Sequence, residues 1–253
     1  MQFFKLIIAY DGTGYSGWQV QPNGVTIQQL LEEAWHEVTG ESVRIMASGR
    51  TDAGVHAEGQ VCSVESATSL DCLTLERALN ASCPDNISIL KIDFADAGFH
   101  AIRDAVQKTY RYQIQFGRIR DPLQCQWRWF VPSLVDVVGL EQAARLLEGE
   151  HDFASFQASG SDRKTTIRNV SQIRVNQWRR SVFGYLDIEV TANGFLYNMV
   201  RNIVGTLVAV GQGKRQPEWV LQVLEKKDRT FAGPTAPAHG LFLVSVDYHE
   251  PLN

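Results

Sequence analysis

The sequence predicts an α+β protein built from two β-α-β-β-α-β units, and three observations carry that prediction. Apolar residues alternate over short runs at strand period and recur over longer ones at helical period, in an order that reads twice along the chain. The 253 residues accommodate two domains of roughly 100 to 150 residues. Hydrophobic residues make up 44% of the chain, which is ample for a core.

In the first half, Phe3 to Ala9 reads as a mostly apolar strand, and Tyr10 to Asn23 as a turn-rich loop with Gly12, Gly14, Gly17 and Pro22. Thr26-Ile-Gln-Gln29 is a capping-box pattern that opens an amphipathic helix through about Val38, stopped at Gly40. A strand follows at Val43 to Ser48, then a connection over 49 to 60, and a strand at Gln60 to Glu65. A helix from Leu73 to Ser82 is ended by Pro84, and Ile87 to Phe94 supplies the last strand of the unit.

The second half repeats this grammar with insertions. Strands are expected at Thr109 to Phe116, Ile167 to Trp178, Val182 to Ala192 and Leu241 to Tyr248, with helices at Leu140 to Glu148 and Phe195 to Val210. An extra short helix, Glu218 to Lys226, follows Pro217. Two such units in tandem suggest duplication of a ferredoxin-like, RRM-like fold, with domains at 1–98 and 99–253 and Ala95 to Gln107 as the junction. The two central antiparallel sheets are expected to meet and form a basic cleft, the kind of place that favours ligand sites.

Net charge is −4, which on its face argues against a nucleic-acid partner. The distribution argues the other way, because residues 1–100 hold 5 Lys and Arg against 13 Asp and Glu, while residues 101–253 hold 19 against 15. Arg103, Lys108, Arg111, Arg118, Arg120 and Arg128 form one basic stretch, and Arg163, Lys164, Arg168, Arg174, Arg179 and Arg180 another. Either is a solvated face or a phosphate-binding surface, and phosphate binding needs local basicity rather than a basic total. No apolar run approaches a membrane span and no secretory signal opens the chain, so a cytoplasmic location is expected. Cys62, Cys72, Cys83 and Cys125 show neither Cys-x-x-Cys spacing nor paired histidines, so no zinc site and no disulfide framework is expected.

Residues 49–60, Gly-Arg-Thr-Asp-Ala-Gly-Val-His-Ala-Glu-Gly-Gln, place three glycines and a cluster of charge on a strand-to-strand connection. Asp52 sits two residues before Gly54, where the chain can turn sharply and a large ligand meets little side-chain bulk. The plainer reading is a tight turn closed by an Asx-type bond from Asp52. The string from Gly49 to Ala57 resembles the active-site loop of the TruA-type tRNA pseudouridine synthases. The resemblance implies that Asp52 is the catalytic nucleophile. Tyr10 to Gln19, Phe99-His-Ala101, Asn198 to Gly205 and Pro237-Ala-His-Gly-Leu241 also resemble family segments.

Phe195 to Gly211 is apolar around its circumference, which marks a buried helix, yet it carries Arg201. A buried guanidinium needs a carboxylate, since leaving it unpaired costs several kcal/mol. Spacing leaves Asp52, Asp187, Glu189 or an exit to solvent open. The resemblance implies Asp52, an ion pair that would hold that carboxylate anionic. Lys108-Thr-Tyr-Arg-Tyr112 alternates at strand period, so Tyr110 and Tyr112 share a face that either stacks a base or packs as core. By resemblance Tyr110 is the active-site tyrosine, stacking on the target base and assisting proton transfer. Arg50, Lys108, Arg111, His56, Phe99, Gly240 and Leu241 are expected on the substrate side, and His100 and His239 in structural roles.

The implied reaction breaks the uridine bond between N1 and C1′ and rejoins the base through C5, with no metal, redox or nucleotide cofactor. Asp52 attacks C1′ or C6, or acts on a ribose proton; the residues do not choose among these. The resemblance implies a tRNA anticodon arm as substrate and a homodimer as the working state. Two rivals are weighed on residues. A glycoside hydrolase needs a second, protonated carboxylate, and nothing fixes Glu58 opposite Asp52. A non-catalytic RNA-binding module shares the tandem architecture but leaves Asp52 without a purpose.

Overall fold

The computed structural model describes residues 1–133, 136–158, 160 and 165–249; Arg163 and Lys164 of the second basic stretch lie outside the described residues. In chain order the first elements are β1 (Gln2–Tyr10), α1 (Ile27–Thr39), β2 (Met46–Ala47), β3 (His56–Ser66), α2 (Cys72–Ser82), β4 (Ile87–Ala95) and β5 (Ala105–Phe116). After them come β6 (Trp129–Val131), α3 (Val137–Arg145), β7 (Gly149–Asp152), β8 (Ile167–Arg180), β9 (Phe183–Ala192), α4 (Met199–Gly211), α5 (Trp219–Lys226) and β10 (Leu241–Tyr248). The protein is of the α+β class, and the chain divides into two compact units, Met1–Val106 with Phe242–Asn253, and Gln107–Leu241.

In the first unit β1 lies between β3 and β4 and is antiparallel to both, with Leu6 opposite Cys62 on one side and Ile92 on the other. Alternation along β1 turns Phe4, Leu6, Ile8 and Tyr10 into the core, where Phe4 meets Trp35 of α1 edge-on at 5.8 Å. Helix α1 starts where Thr26 accepts a hydrogen bond from the Gln29 backbone and stops at Gly40, whose φ of +74° is left-handed. Only half of the expected capping box forms, because the Gln29 side chain turns to Glu33 instead. The strand expected at Val43 to Ser48 contracts to β2, paired with Ser63 and Cys62.

β3 begins at His56, four residues before the expected position, because Ala57 pairs with Tyr10 and because β10 runs parallel to it. There Phe242 registers with His56 and Leu243 with Ala57. β10, expected to close the second β-α-β-β-α-β repeat, therefore adds a parallel strand to the first unit. Adding a Cβ at Gly59 of β3 would bring it to 2.4 Å from the Val244 carbonyl oxygen, so the two backbones touch.

In the second unit β9 pairs antiparallel with β5 and β8, and β7 pairs with β8. β6, too short for sequence periodicity to reveal, runs parallel to β5, with Phe130 opposite Gln115. Tyr110, Tyr112, Ile114, Ile188 and Val190 are buried, while Thr109, Arg111, Gln113, Asp187, Glu189 and Thr191 alternate with them at intermediate exposure. Helix α4 starts at Met199 rather than Phe195, since Asn198 adopts a left-handed φ of +59°. Arg201 consequently stands in the first turn, not in the middle of the helix. The rest of α4 is buried nearly throughout, as its composition predicts. All four cysteines are free thiols, and burial pushes the Cys62 thiol well above its ordinary pKa. Among the described residues no helix is long and apolar enough to cross a membrane.

Candidate active site

The loop before β3 is a turn held from behind by the glycine-rich loop after β1. The Val55 N–H donates to the Asp52 carbonyl at 3.1 Å, and Gly54, at φ +75°, fills the turn position that requires a left-handed backbone. Asp52 sits at the entry to this turn and is half-buried. Behind it the chain approaches so closely that a Cβ at Gly12 would fall 2.1 Å from the Val55 carbonyl oxygen, and one at Gly17 2.8 Å from that of Thr51. The Trp18 N–H donates to the Thr51 carbonyl at 3.0 Å, and the Tyr10 hydroxyl shares a 2.8 Å hydrogen bond with Thr51 Oγ1. Burial raises the Tyr10 phenol above its ordinary pKa, so this bond keeps its proton.

His56 completes the frame beneath the turn. Its Nδ1 accepts from the Gly12 N–H at 3.0 Å, and its ring stacks on Phe242 of β10 with centroids 4.6 Å apart. With Nδ1 accepting, the neutral ring carries its proton on Nε2; a protonated ring would direct Nδ1–H at Asp11 Oδ1, 2.9 Å away. At 1% exposure His56 lies under the loop rather than on its surface, so its geometry is that of a support. Arg50 is exposed on the same loop.

Phe99, also in the first unit, packs its half-buried ring 5.2 Å from that of Tyr248, whose other neighbour is the Lys5 ammonium at 4.4 Å. His100 closes a turn, its Nδ1 accepting from the Ile102 N–H and its own N–H donating to Asp104.

In the second unit Tyr110, 8% exposed, meets Phe195 edge-on at 4.9 Å. Lys108 alternates onto the Tyr110 side of β5, whereas Arg111 falls on the other side, where it faces Glu189 at 3.7 Å. Arg128 takes the second carboxylate that sequence spacing offered to Arg201, binding Asp187 at 2.7 Å. The Arg201 guanidinium donates from Nε to the Ala236 carbonyl at 2.7 Å and from Nη1 to Asn198 Oδ1 at 2.9 Å. Gly240 is obligatory under Tyr112, because a Cβ there would come within 2.7 Å of the ring, and the Tyr112 hydroxyl donates to the Pro237 carbonyl. Leu241 is buried and His239 half-buried beside it in sequence.

Sequence reading missed the network that seats segment 229–236 on α4. Asn202, fully buried, donates to the Phe156 carbonyl and accepts from Arg229 and Thr235. Thr206 accepts from the Gly233 N–H, and a Cβ at Gly205 would fall 1.6 Å from the Pro234 carbonyl oxygen. The signal for it was present: Asn202 and Thr206 are polar, four residues apart, in a helix that is apolar apart from them and Arg201. The network fixes Ala236, and Ala236 aims the Arg201 fork. Among the described residues no three His, Cys, Asp or Glu side chains gather as a metal site.

The Asp52 turn lies in the first unit, and Tyr110 and the Arg201 guanidinium lie in the second. The chain belongs to the tRNA pseudouridine synthase family, whose profile matches residues 6–102 and 143–249. Among curated proteins it is 45% identical to tRNA pseudouridine synthase A of Pelobacter propionicus over 248 residues, covering 98% of this chain and 100% of that one. It is 44% identical to tRNA pseudouridine synthase A of Syntrophotalea carbinolica, covering 98% of this chain and 97% of that one. A chain in the crystal structure of a Cbf5-Nop10-Gar1 complex aligns with 80% of this chain and 53% of its own length, at 12% identity and a TM-score of 0.32, too distant to carry weight.

Proposed function

We propose that this chain isomerises uridine to pseudouridine in tRNA, with Asp52 as the nucleophile. The observation that carries the reading is the turn at 52–55, which holds Asp52 at its entry on a frame of backbone contacts from Gly12, Gly17 and Trp18. The N1–C1′ bond of the target uridine breaks, the base rotates, and a C5–C1′ bond forms as the C5 proton leaves. The substrate is its own source of every atom, and one anionic carboxylate serves by attack at C1′ or C6 or by moving a ribose proton.

Arg201 is proposed as the cation that keeps Asp52 anionic. Engagement of Asp187 by Arg128 and of Glu189 by Arg111 favours Asp52 over the two alternatives that spacing left open. Tyr110 is proposed to stack on the target base and to assist proton transfer. Arg50, Lys108, Arg111, Phe99, Gly240 and Leu241 are proposed to line the approach of the RNA, with His56 shaping the loop from below. The target nucleotide must leave its stack to reach Asp52, at a cost of a few kcal/mol offset by stacking and phosphate contacts. Uridines of the anticodon arm, a homodimer and a cytoplasmic location complete the proposal; light scattering tests the dimer.

The decisive experiment incubates an unmodified tRNA transcript with the wild type and with Asp52→Ala, then maps pseudouridine and measures tRNA binding. Isomerisation by the wild type alone, with binding kept in the variant, is the expected result. Free uracil released by the wild type, or no modification by either protein, overturns the reading.

A further inference from the structure

Trp178, near the end of β8, is 40% exposed yet tightly braced. Its ring stacks on Tyr185 of β9 with centroids 4.2 Å apart and planes 25° apart, and its indole N–H donates to Asp187 Oδ2 at 3.2 Å. The Arg128 guanidinium lies 5.3 Å from the Trp178 centroid and 4.9 Å from that of Tyr185 while binding Asp187. Tyr185 in turn donates its hydroxyl to Asp121. A large aromatic held this way has already lost its rotamer freedom, so a planar ligand stacking on it orders nothing further.

The surrounding charge is positive although the whole chain carries −4. Arg180, two residues on and paired with Phe183, falls on the Trp178 face of β8, is exposed, and lies close enough to Asp121 and Tyr185 for its charge to act on both, whereas Arg179, opposite Gly184, turns to the other face. The two carboxylates nearby are engaged, Asp121 by Tyr185 and Asp187 by Arg128 and Trp178. Fixed aromatic surface edged by arginines fits a polyanion that presents unpaired planar bases.

We propose that Trp178, with Arg180 on the same face of β8, forms a docking surface for an unpaired stretch of the RNA substrate. Trp178 stacks a base and Arg180 holds an adjacent phosphate. This rests on tRNA being the substrate and adds a contact set outside the Asp52 turn and the Arg201 helix.

The test measures binding of a fluorescent unmodified tRNA transcript, and single-turnover pseudouridine formation, for the wild type, Trp178→Ala, Trp178→Phe and Arg180→Ala. Trp178→Ala should weaken binding about tenfold, and Trp178→Phe, which keeps a stacking face and the packing on Tyr185, by no more than about threefold. Arg180→Ala should weaken binding and lower the slope of log affinity against log salt by about 1. The single-turnover rate at saturating tRNA should stay at the wild-type value in all three. Unchanged binding in Trp178→Ala, equal losses in the alanine and phenylalanine variants, or an altered number of protomers with tRNA affinity intact overturns the proposal. The last of these would mark the surface as a seat for a second copy. A wild type that binds tRNA but forms no pseudouridine would sink the proposed function while leaving the docking surface to be judged on affinity alone.

Discussion

Arg201 and Ala236 exchange hydrogen bonds: the Arg201 Nε donates to the Ala236 carbonyl at 2.7 Å, and the Ala236 N–H donates to the Arg201 carbonyl at 3.1 Å. With Asn198 holding Nη1, the guanidinium plane is set by the protein before any ligand arrives. A charge aimed in advance stabilises developing charge without reorganising at the moment of reaction.

Arg201→Lys tests that geometry. An ammonium cannot span Ala236 and Asn198 while presenting a flat fork, so the single-turnover rate should fall at least about 100-fold, with tRNA affinity within about threefold. Rapid-quench kinetics beside anisotropy separates the two quantities. A near-wild-type rate would reduce Arg201 to a clasp for segment 229–236.

Gly12→Ala tests the brace behind the Asp52 turn. The new methyl meets the Val55 carbonyl oxygen at 2.1 Å, and a backbone atom cannot swing aside, so the turn must shift. Stability should drop by about 1 to 3 kcal/mol and the reaction rate by about 100-fold. Gly14→Ala is the control: its φ of +81° strains a side chain, but nothing lies within 4 Å. It should cost about 1 kcal/mol and leave the rate unchanged. Melting curves and single-turnover assays on both variants decide.

Tyr110→Phe keeps the edge contact with Phe195 and removes only the hydroxyl. The melting temperature and tRNA affinity should hold, while the rate falls by about 100-fold if the hydroxyl carries a proton in the slow step. Tyr110→Ala should in addition lose about 2 to 4 kcal/mol of stability, since the ring is nearly buried.

Acid should destabilise the second unit through Asp121 and Asp152. The Tyr185 hydroxyl, helped by the Arg180 and Arg128 charges, holds the Asp121 carboxyl below its ordinary pKa, and the Thr166 hydroxyl and Lys227 do the same for Asp152. Both groups bind protons more weakly folded than unfolded. Their contribution is therefore complete above the ordinary carboxylate pKa of about 3.9 and is lost as pH falls through the lower folded values. Denaturant midpoints should be flat from neutrality to about pH 5 and decline below about pH 4, and Asp121→Asn should flatten part of that decline while lowering stability at neutral pH.

What the sequence disclosed and what it withheld divide by range. The Thr26 cap, the Gly40 stop and the apolar circumference of α4 are local and were legible from a few residues each. The early start of β3 was not, because burial on both faces erases the alternation that marks a strand and because its partners, Tyr10 and Phe242, are remote in sequence. Asp52 stood out by its glycine-flanked setting and its resemblance. The need for Gly12 and Gly17 behind it shows only when their neighbours across the loop are known. His56 looked like a substrate contact for the same reason: its motif position is visible, its enclosure under Phe242 is not. α4 was drawn to start four residues too early since nothing in Phe195 to Asn198 forbids a helix, and the left-handed backbone at Asn198 does not show in its residue type.

The return of β10 to β3 also sets a timetable. A ribosome has delivered every residue of the Asp52 turn by the time it passes Val55, yet Phe242, on which the His56 ring stacks, emerges far later in the chain. Until then the edge of β3 at His56 and Ala57 lacks its parallel neighbour, so the nascent protein carries the Asp52 turn on an unfinished platform until β10 has been made.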